Sequence, residues 1–121
     1  MTDESTVRTW VEGYRRAWES NLADDIRAIF TEDAQYRDGP STPPWVGHAE
    51  IVAGWLDQQD PPGTSTFDWS ILAIDGDTAV VRGVTGYPSG PKASVYDNLF
   101  VLRFAPDGRV SEFTDWFIAR D

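Results

Sequence analysis

The chain has 121 residues, 40% of them hydrophobic, with 20 acidic and 10 basic side chains and a net charge of −10. This length suits a single domain with its own apolar core, and the absence of cysteine together with the presence of one histidine excludes disulfide scaffolds, thiol catalysis, iron–sulfur clusters and histidine-rich metal sites. The negative charge repels phosphates and anionic lipids, which argues against nucleic acid and membrane surfaces as partners.

The first part of the chain predicts two helices. Apolar residues spaced three and four apart form one stripe of an amphipathic helix over about residues 5 to 20. Tyr14 lies within this stripe, so its hydroxyl group needs either a hydrogen-bond partner or a cavity. Asn21 stands where an N-cap is expected, and it predicts a second short helix that ends near Phe30.

The following segment predicts a strand, a loop and a third helix. Residues 34–38 form a short predicted strand, and the glycine and prolines of residues 39–46 predict a loop because they cannot continue regular structure. This loop carries Trp45 and is expected to border the mouth of a pocket. Gly47 begins the third helix, which has Trp55 on its apolar face.

The remainder of the chain predicts four long strands joined by turns. They span residues 66–74, 78–87, 93–104 and 109–119, and the middle turn is Pro88-Ser89-Gly90-Pro91. Helices followed by a meander of strands indicate the α+β class, with the helices packed against one face of a curved antiparallel sheet.

The third of these strands carries large apolar side chains on both of its faces. In an antiparallel sheet this pattern predicts that one face covers the core and that the other face contacts a second subunit. Trp69 and Trp116 are further candidates for that outer surface. The alternative is that short loops or the chain ends cover it.

Two aspartates are candidates for chemistry. Asp38 ends the first predicted strand, where it is either functional or a turn-capping residue. Asp115 alternates with Phe113 and Phe117 on the last strand, so its carboxyl group faces the core if those rings do. A buried carboxyl group must be paired, protonated or functional, and Arg82 is a candidate partner that would make the pair structural.

The order of the elements and several sequence segments resemble the NTF2-like superfamily, and within it the SnoaL-like branch. The segments are Tyr14-Arg15-Arg16-Ala17-Trp18, the run from Ile29 to Pro40, Gly47-His48-Ala49-Glu50-Ile51, the run from Tyr96 to Phe104, and Phe113-Thr114-Asp115-Trp116-Phe117. The resemblance implies one domain over residues 1–121, built as a cone-shaped curved sheet wrapped around the N-terminal helices. It also implies a pocket inside the cone and a homodimer formed through the outer face of the sheet.

Within that superfamily, the residues match ketosteroid isomerase most fully. The resemblance implies that Tyr14 is the oxyanion-hole tyrosine and that Asp38 is the general base. Phe100 stands where the isomerase has its second oxyanion donor, a protonated aspartate. Loss of one donor costs roughly 2.7–4 kcal/mol of transition-state stabilisation, so efficient steroid isomerisation requires Asn98 or a water to substitute.

Two other members of the superfamily match less well. Asp115 resembles one residue of the Asp-Arg-Asp set of limonene epoxide hydrolase, but Val84 and Gly86 stand where the other two are expected. Scytalone dehydratase relies on a pair of histidines, and this chain has only His48, whose role the sequence leaves open. A SnoaL-type cyclase needs mainly one acid–base carboxylate in an apolar cavity, a requirement that Asp38 and Asp115 both meet.

Two functions of different class therefore stay open. The first is a cofactor-independent and metal-independent isomerase, cyclase or lyase that moves a proton alpha to the carbonyl group of a hydrophobic ketone or polyketide-like substrate. The second is a non-catalytic ligand-binding or dimerisation domain. The expected catalytic residues are Asp38, Tyr14 and Asp115, and the expected ligand contacts are Trp18, Trp45, Trp55, Asn98, Phe100 and Phe113. With no basic leader and no apolar run of about 18 residues, a cytoplasmic location is expected.

Overall fold

The computed structural model describes residues 2–88 and 94–120, and it begins with helix α1, Glu4–Ser20. Asp3 caps this helix by accepting a hydrogen bond from the backbone N–H of Thr6 at 2.8 Å. The predicted apolar stripe, with Tyr14 at its centre, is buried against the sheet. Among the described residues, no helix is both long and apolar enough to cross a membrane.

Asn21 has a different role from the predicted one. It ends α1 in the left-handed conformation, with a φ of 53°, and its N–H donates to the carbonyl oxygen of Ala17 at 2.9 Å. Asparagine is one of the few residues that tolerate this conformation, so it suits the end of a helix as well as the start of one. The second helix, α2, spans Ala23–Ile29 and has Leu22 at its N-cap.

The strand and helix that follow bound the pocket region. Strand β1 spans Phe30–Arg37 and begins four residues earlier than the sequence predicts. Strand β2, Trp45–Val46, pairs antiparallel with β1 inside the predicted loop, and two residues are too few to give a sequence pattern. Helix α3, Gly47–Asp57, begins at the predicted glycine.

The second half of the chain forms the predicted strands. Their bounds are β3 Thr66–Asp75, β4 Thr78–Tyr87, β5 Ser94–Phe104 and β6 Val110–Ala119. The order in the sheet is β2-β1-β6-β5-β4-β3, which confirms the α+β class with a curved sheet. The sheet is mixed rather than wholly antiparallel, because β1 pairs parallel with β6. Of the predicted middle turn, residues 89–91 lie outside the described residues.

The register of the strands separates a concave face from an outer face. Buried residues alternate along β4 and β5, and the concave set packs with the helices to form the core. Trp116 is exposed on the outer face, as predicted, whereas the prediction for Trp69 is wrong. Trp69 pairs with Gly83 on the concave side, and its ring lies 5.7 Å from the guanidinium carbon of Arg8 on α1.

Candidate active site

A cavity of about 400 Å³ lies between α1, α3 and the concave face of the sheet. This volume is within the range of small-molecule sites, so the aromatic side chains of the cone do not fill it. Eight of the residues predicted from the sequence line it: Tyr14, Trp18, Asp38, Trp45, Trp55, Asn98, Phe100 and Asp115. Phe113 lies beneath this wall at 1% exposure, with its ring stacked on those of Tyr14 and Tyr36 at centroid distances of 5.5 and 4.6 Å.

Tyr14 and Tyr36 bring two phenols into the cavity, from α1 and β1 respectively. Burial raises the pKa of both hydroxyl groups above the usual range, and the neighbouring carboxyl groups of Asp38 and Asp115 raise it further. Both hydroxyls therefore keep their protons at neutral pH and are hydrogen-bond donors. Tyr36 was missed by the sequence analysis, although it lies two residues before Asp38 and therefore on the same face of the strand.

Asp38 follows directly after the last residue of β1, and its side chain lines the cavity. Partial burial raises the pKa of its carboxyl group. Within residues 2–88 and 94–120, no arginine or lysine forms an ion pair with it. Asp38 is therefore a carboxylate whose basicity is increased by its burial.

Asp115 lies opposite Phe100 in the β5–β6 register and faces the cavity. Burial raises the pKa of its carboxyl group to about 7, and the charge of Asp38 acts in the same direction. The predicted ion pair with Arg82 is wrong, because Arg82 is exposed on the outer face of the sheet. A carboxyl group with this pKa is close to half protonated at neutral pH.

Asn98 is the hydrogen-bond partner that Asp115 has instead of an arginine. Its side-chain Nδ2 donates to the two carboxyl oxygens of Asp115 at 3.2 and 3.3 Å, which lowers the pKa of Asp115 and partly offsets the effect of burial. The hydroxyl group of Thr85 on β4 donates to Oδ1 of Asn98 at 2.7 Å. Thr85 and Asn98 are 3% and 8% exposed, so this row of hydrogen bonds is shielded from bulk water.

Asp60, which the sequence analysis missed, also lines the cavity. One of its carboxyl oxygens, Oδ2, accepts from Nε1 of Trp18 at 2.8 Å and from the hydroxyl group of Tyr87 at 3.0 Å. Asp60 thereby joins the loop after α3 to both α1 and β4. On another side of the cavity, the ring of Trp45 stacks on that of Tyr36 at 4.9 Å.

The open question of His48 has a structural answer. Its Nε2 lies 2.8 Å from the carbonyl oxygen of Phe30, so the imidazole connects the first turn of α3 to the start of β1. His48 does not line the cavity. The described part of the chain contains no group of three or more histidine, aspartate or glutamate residues that could hold a metal ion.

The positions compared with limonene epoxide hydrolase also need correction. Val84 and Gly86 belong to the outward-facing set of β4, so neither can stand in for a cavity residue. The inward-facing residues of this strand that line the cavity are Thr85 and Tyr87. Neither residue supplies an arginine or a carboxylate, so the Asp-Arg-Asp set is still incomplete.

Comparison with protein families gives one match. A family model described as a SnoaL-like domain matches residues 11–113, which include every strand from β1 to β5 and the first residues of β6. No curated protein matches the chain.

Several solved structures have the same fold. A ketosteroid isomerase-like protein from Erwinia carotovora atroseptica SCRI1043 aligns with a TM-score of 0.70 at 19% identity, covering 98% of this chain and 100% of that chain. An LEH-like epoxide hydrolase from M. tuberculosis aligns with a TM-score of 0.68 at 19% identity, covering 94% and 84%. The epoxide hydrolase/cyclase-like enzyme SalBIII, associated with pyran ring formation in salinomycin, aligns with a TM-score of 0.73 at 19% identity, covering 98% and 95%.

Proposed function

Because the chain belongs to the SnoaL-like domain family, we propose that it binds a hydrophobic ketone or polyketide-like molecule and transfers a proton at the carbon next to its carbonyl group. One observation carries this proposal. Two carboxyl groups with raised pKa, Asp38 and Asp115, face the same cavity as two protonated phenols, Tyr14 and Tyr36. Such acids and bases among aromatic walls suit isomerisation or cyclisation through an enolate.

Asp38 has the role of general base in this proposal. Its carboxylate takes the proton from the alpha carbon, and the electron pair of the broken C–H bond moves into the carbonyl group to form an enolate. The raised pKa of Asp38 makes this transfer more favourable than it would be for a solvated aspartate. The same carboxyl group then returns the proton to a different carbon, which completes an isomerisation without any cofactor.

Tyr14 and Asp115 stabilise the enolate oxygen. Tyr14 donates a hydrogen bond from its hydroxyl group, and Asp115 donates a second one when its carboxyl group is protonated. Asp115 suits this role because it lies directly opposite Phe100, the position to which the resemblance assigns the second donor. The donor missing from β5 is thus supplied by the neighbouring strand β6.

Hydrogen–deuterium exchange at carbon tests the proposal. The protein is incubated in D₂O with a panel of hydrophobic ketones, and loss of the alpha-proton signal is followed by NMR. We expect Asp38→Asn to abolish the exchange while ligand binding is kept, and Tyr14→Phe to slow it by about 10²–10³-fold. Asp57→Asn, an exposed aspartate at the end of α3, is the matched control and should exchange like the wild type.

The alternative of a non-catalytic binding protein gives a different result in the same experiment. Trp18, Trp45 and Trp55 line the cavity, so a bound ligand should change the tryptophan fluorescence in a saturable way. Saturable binding without any exchange above the rate measured in the absence of protein would assign the cavity to binding alone.

We propose in addition that the chain forms a homodimer through the outer face of the sheet. Leu72, Trp116 and Ile118 are 56%, 46% and 70% exposed, and Leu99 and Val101 of β5 extend the same apolar surface. An exposed patch of this kind on a sheet is typical of a subunit interface. The cytoplasmic location expected from the sequence stays a prediction.

A further inference from the structure

Asp115 is the last member of a row of hydrogen bonds that runs from Thr85 through Asn98. We propose that Thr85 is a positioning residue that acts through Asn98 to keep the acidic proton of Asp115 directed into the cavity. The catalytic value of this arrangement rests on the proposed function of Asp115 as a proton donor. The effect on Asp115 itself can be measured whether or not that function holds.

The three residues occupy neighbouring strands of the concave face. Asn98 on β5 pairs with Gly83 on β4 and with Phe117 on β6. Thr85 lies two residues after Gly83, and Asp115 lies two residues before Phe117, so the three side chains form a diagonal row. The row is connected by the hydrogen bond from Thr85 to Asn98 at 2.7 Å and by the hydrogen bonds from Asn98 to Asp115 at 3.2 and 3.3 Å.

The orientation of the Asn98 amide decides where the proton of Asp115 points. An amide has a donating end and an accepting end, and rotation of the group exchanges them. With Nδ2 toward Asp115, the amide donates to one carboxyl oxygen and leaves a protonated carboxyl free to donate into the cavity. With Oδ1 toward Asp115, the amide would accept that proton itself and remove the donor from the ligand.

Thr85 selects the first of these orientations. Its hydroxyl proton is accepted by Oδ1 of Asn98, and within residues 2–88 and 94–120 this hydroxyl forms no other hydrogen bond. Rotation of the amide would bring its donating end to Thr85 and leave the hydroxyl proton without that acceptor. A buried donor without a partner is costly, so the amide is held with Nδ2 toward Asp115.

Titration of the Asp115 carboxyl carbon by ¹³C NMR tests this inference, with the signal assigned by its absence in Asp115→Asn. The wild-type midpoint is expected at about 7. Thr85→Val keeps the shape of the side chain but removes the hydroxyl, so the freed amide accepts the acidic proton and the midpoint rises by about 0.4–1 pH unit. Thr85→Ser restores the hydroxyl and should titrate like the wild type.

The control for an effect through Asn98 is the variant Asn98→Leu, which removes both ends of the amide. We expect its midpoint to be raised, and the double variant Thr85→Val/Asn98→Leu to titrate with the same midpoint as Asn98→Leu alone. The other titratable groups near Asp115, which are Asp38, Tyr14 and Tyr36, are present in every variant and therefore cancel from the comparison. Thr85→Ala replaces Thr85→Val if that variant does not fold.

Two results would overturn the inference. The first is an Asp115 midpoint in Thr85→Val, or in its replacement, that equals the wild-type midpoint. The second is a rise caused by Thr85→Val that is equally large in the wild-type protein and in Asn98→Leu. Failure of the proposed function has a different signature. The midpoint then shifts as expected, but the pH dependence of deuterium exchange into the ketones is the same in Asp115→Asn and in all of these variants as in the wild type.

Discussion

Asp115 differs from the surface aspartates of this acidic chain because its carboxyl group is largely buried. Burial disfavours the charged form, and no arginine in the described part of the chain pairs with it, so the pKa rises to about 7. Asp38 lines the same cavity but has a smaller shift that comes from burial alone. The two carboxyl groups are thus separated in proton affinity, which allows one to hold a proton while the other accepts one.

This separation predicts a bell-shaped pH dependence of the exchange reaction. Asp38 must be ionised, so the rate rises with pH through its raised pKa. Asp115 must be protonated, so the rate falls as the pH passes about 7. In Asp115→Asn the side-chain amide still donates a hydrogen bond but does not ionise. We therefore expect the pH profile of this variant to lose its alkaline limb and to keep its acidic limb. Rates from pH 4 to 9 measure both limbs, and an alkaline limb that persists in Asp115→Asn would assign that limb to another group.

The same carboxyl group predicts how stability depends on pH. Its folded pKa of about 7 lies above its ordinary value of 3.8, so the folded state holds more protons than the unfolded state between these values. The contribution of Asp115 to the free energy of unfolding therefore falls as pH rises from about 4 to 7, by at most about 1.4 kcal/mol per pH unit.

Asp115→Asn should lack this contribution. Urea unfolding at intervals between pH 4 and 8 gives the free energy of unfolding of both proteins. We expect the variant to become more stable relative to the wild type as pH rises. A difference that stays constant across this range would show that Asp115 is not protonated in the folded state.

At the scale of single elements, sequence patterns predict the helices and the long strands but miss the shortest strand, β2. α1, α3 and the four strands from β3 to β6 have enough residues for a period of 3.6 or 2 to be recognised. β2 has two residues and exists only because Tyr36 and Gln35 on β1 pair with it. Asn21 was assigned to the wrong helix end because the same side chain suits an N-cap and a left-handed C-cap.

The contact between α3 and β2 predicts an unusual effect of an alanine substitution. In a helix, glycine to alanine normally stabilises by up to about 1 kcal/mol. A Cβ atom on Gly54, however, would overlap the indole ring of Trp45. We expect Gly54→Ala to lower the free energy of unfolding by about 1–3 kcal/mol instead, because overpacking outweighs the helix propensity.

Two measurements check the effect of Gly54→Ala. Thermal unfolding gives the change in stability, and tryptophan fluorescence reports whether Trp45 leaves its place against Tyr36. The variant Trp45→Ala provides the control, since in that background the added methyl group has no ring to displace. Stabilisation by Gly54→Ala in the otherwise unchanged protein would contradict the close packing of this helix on Trp45.

At the scale of the whole molecule, the cavity depends on contacts between distant parts of the chain. Tyr14 and Asp38 were predicted through a resemblance to a family, and the concave face of β5 through its alternation of residues. Asp60 could not be predicted, because it lies in a proline-rich loop 42 residues from Trp18 and 27 from Tyr87. The parallel pairing of β1 with β6 is equally non-local, and it brings Asp38 into the cavity that Asp115 lines.

The outer face of the sheet predicts how the protein assembles. Apolar side chains as exposed as those of Trp116 and Ile118 lose their contact with water only if a second molecule covers them. We expect the protein to be a dimer in sedimentation velocity at micromolar concentration and Trp116→Glu to be a monomer, because the dimer would bury a charge on each side.

Leu22, the N-cap residue of α2, provides the matched control for this prediction. It is 59% exposed at the start of α2, so Leu22→Glu adds the same charge at a similarly exposed apolar position without touching the sheet. We expect Leu22→Glu to sediment like the wild type. Since the cavity opens on the concave face and the patch lies on the outer face, the monomeric Trp116→Glu should still bind ligand. A wild-type protein that sediments as a monomer, or a Trp116→Glu variant that remains a dimer, would place the subunit contact elsewhere or remove it.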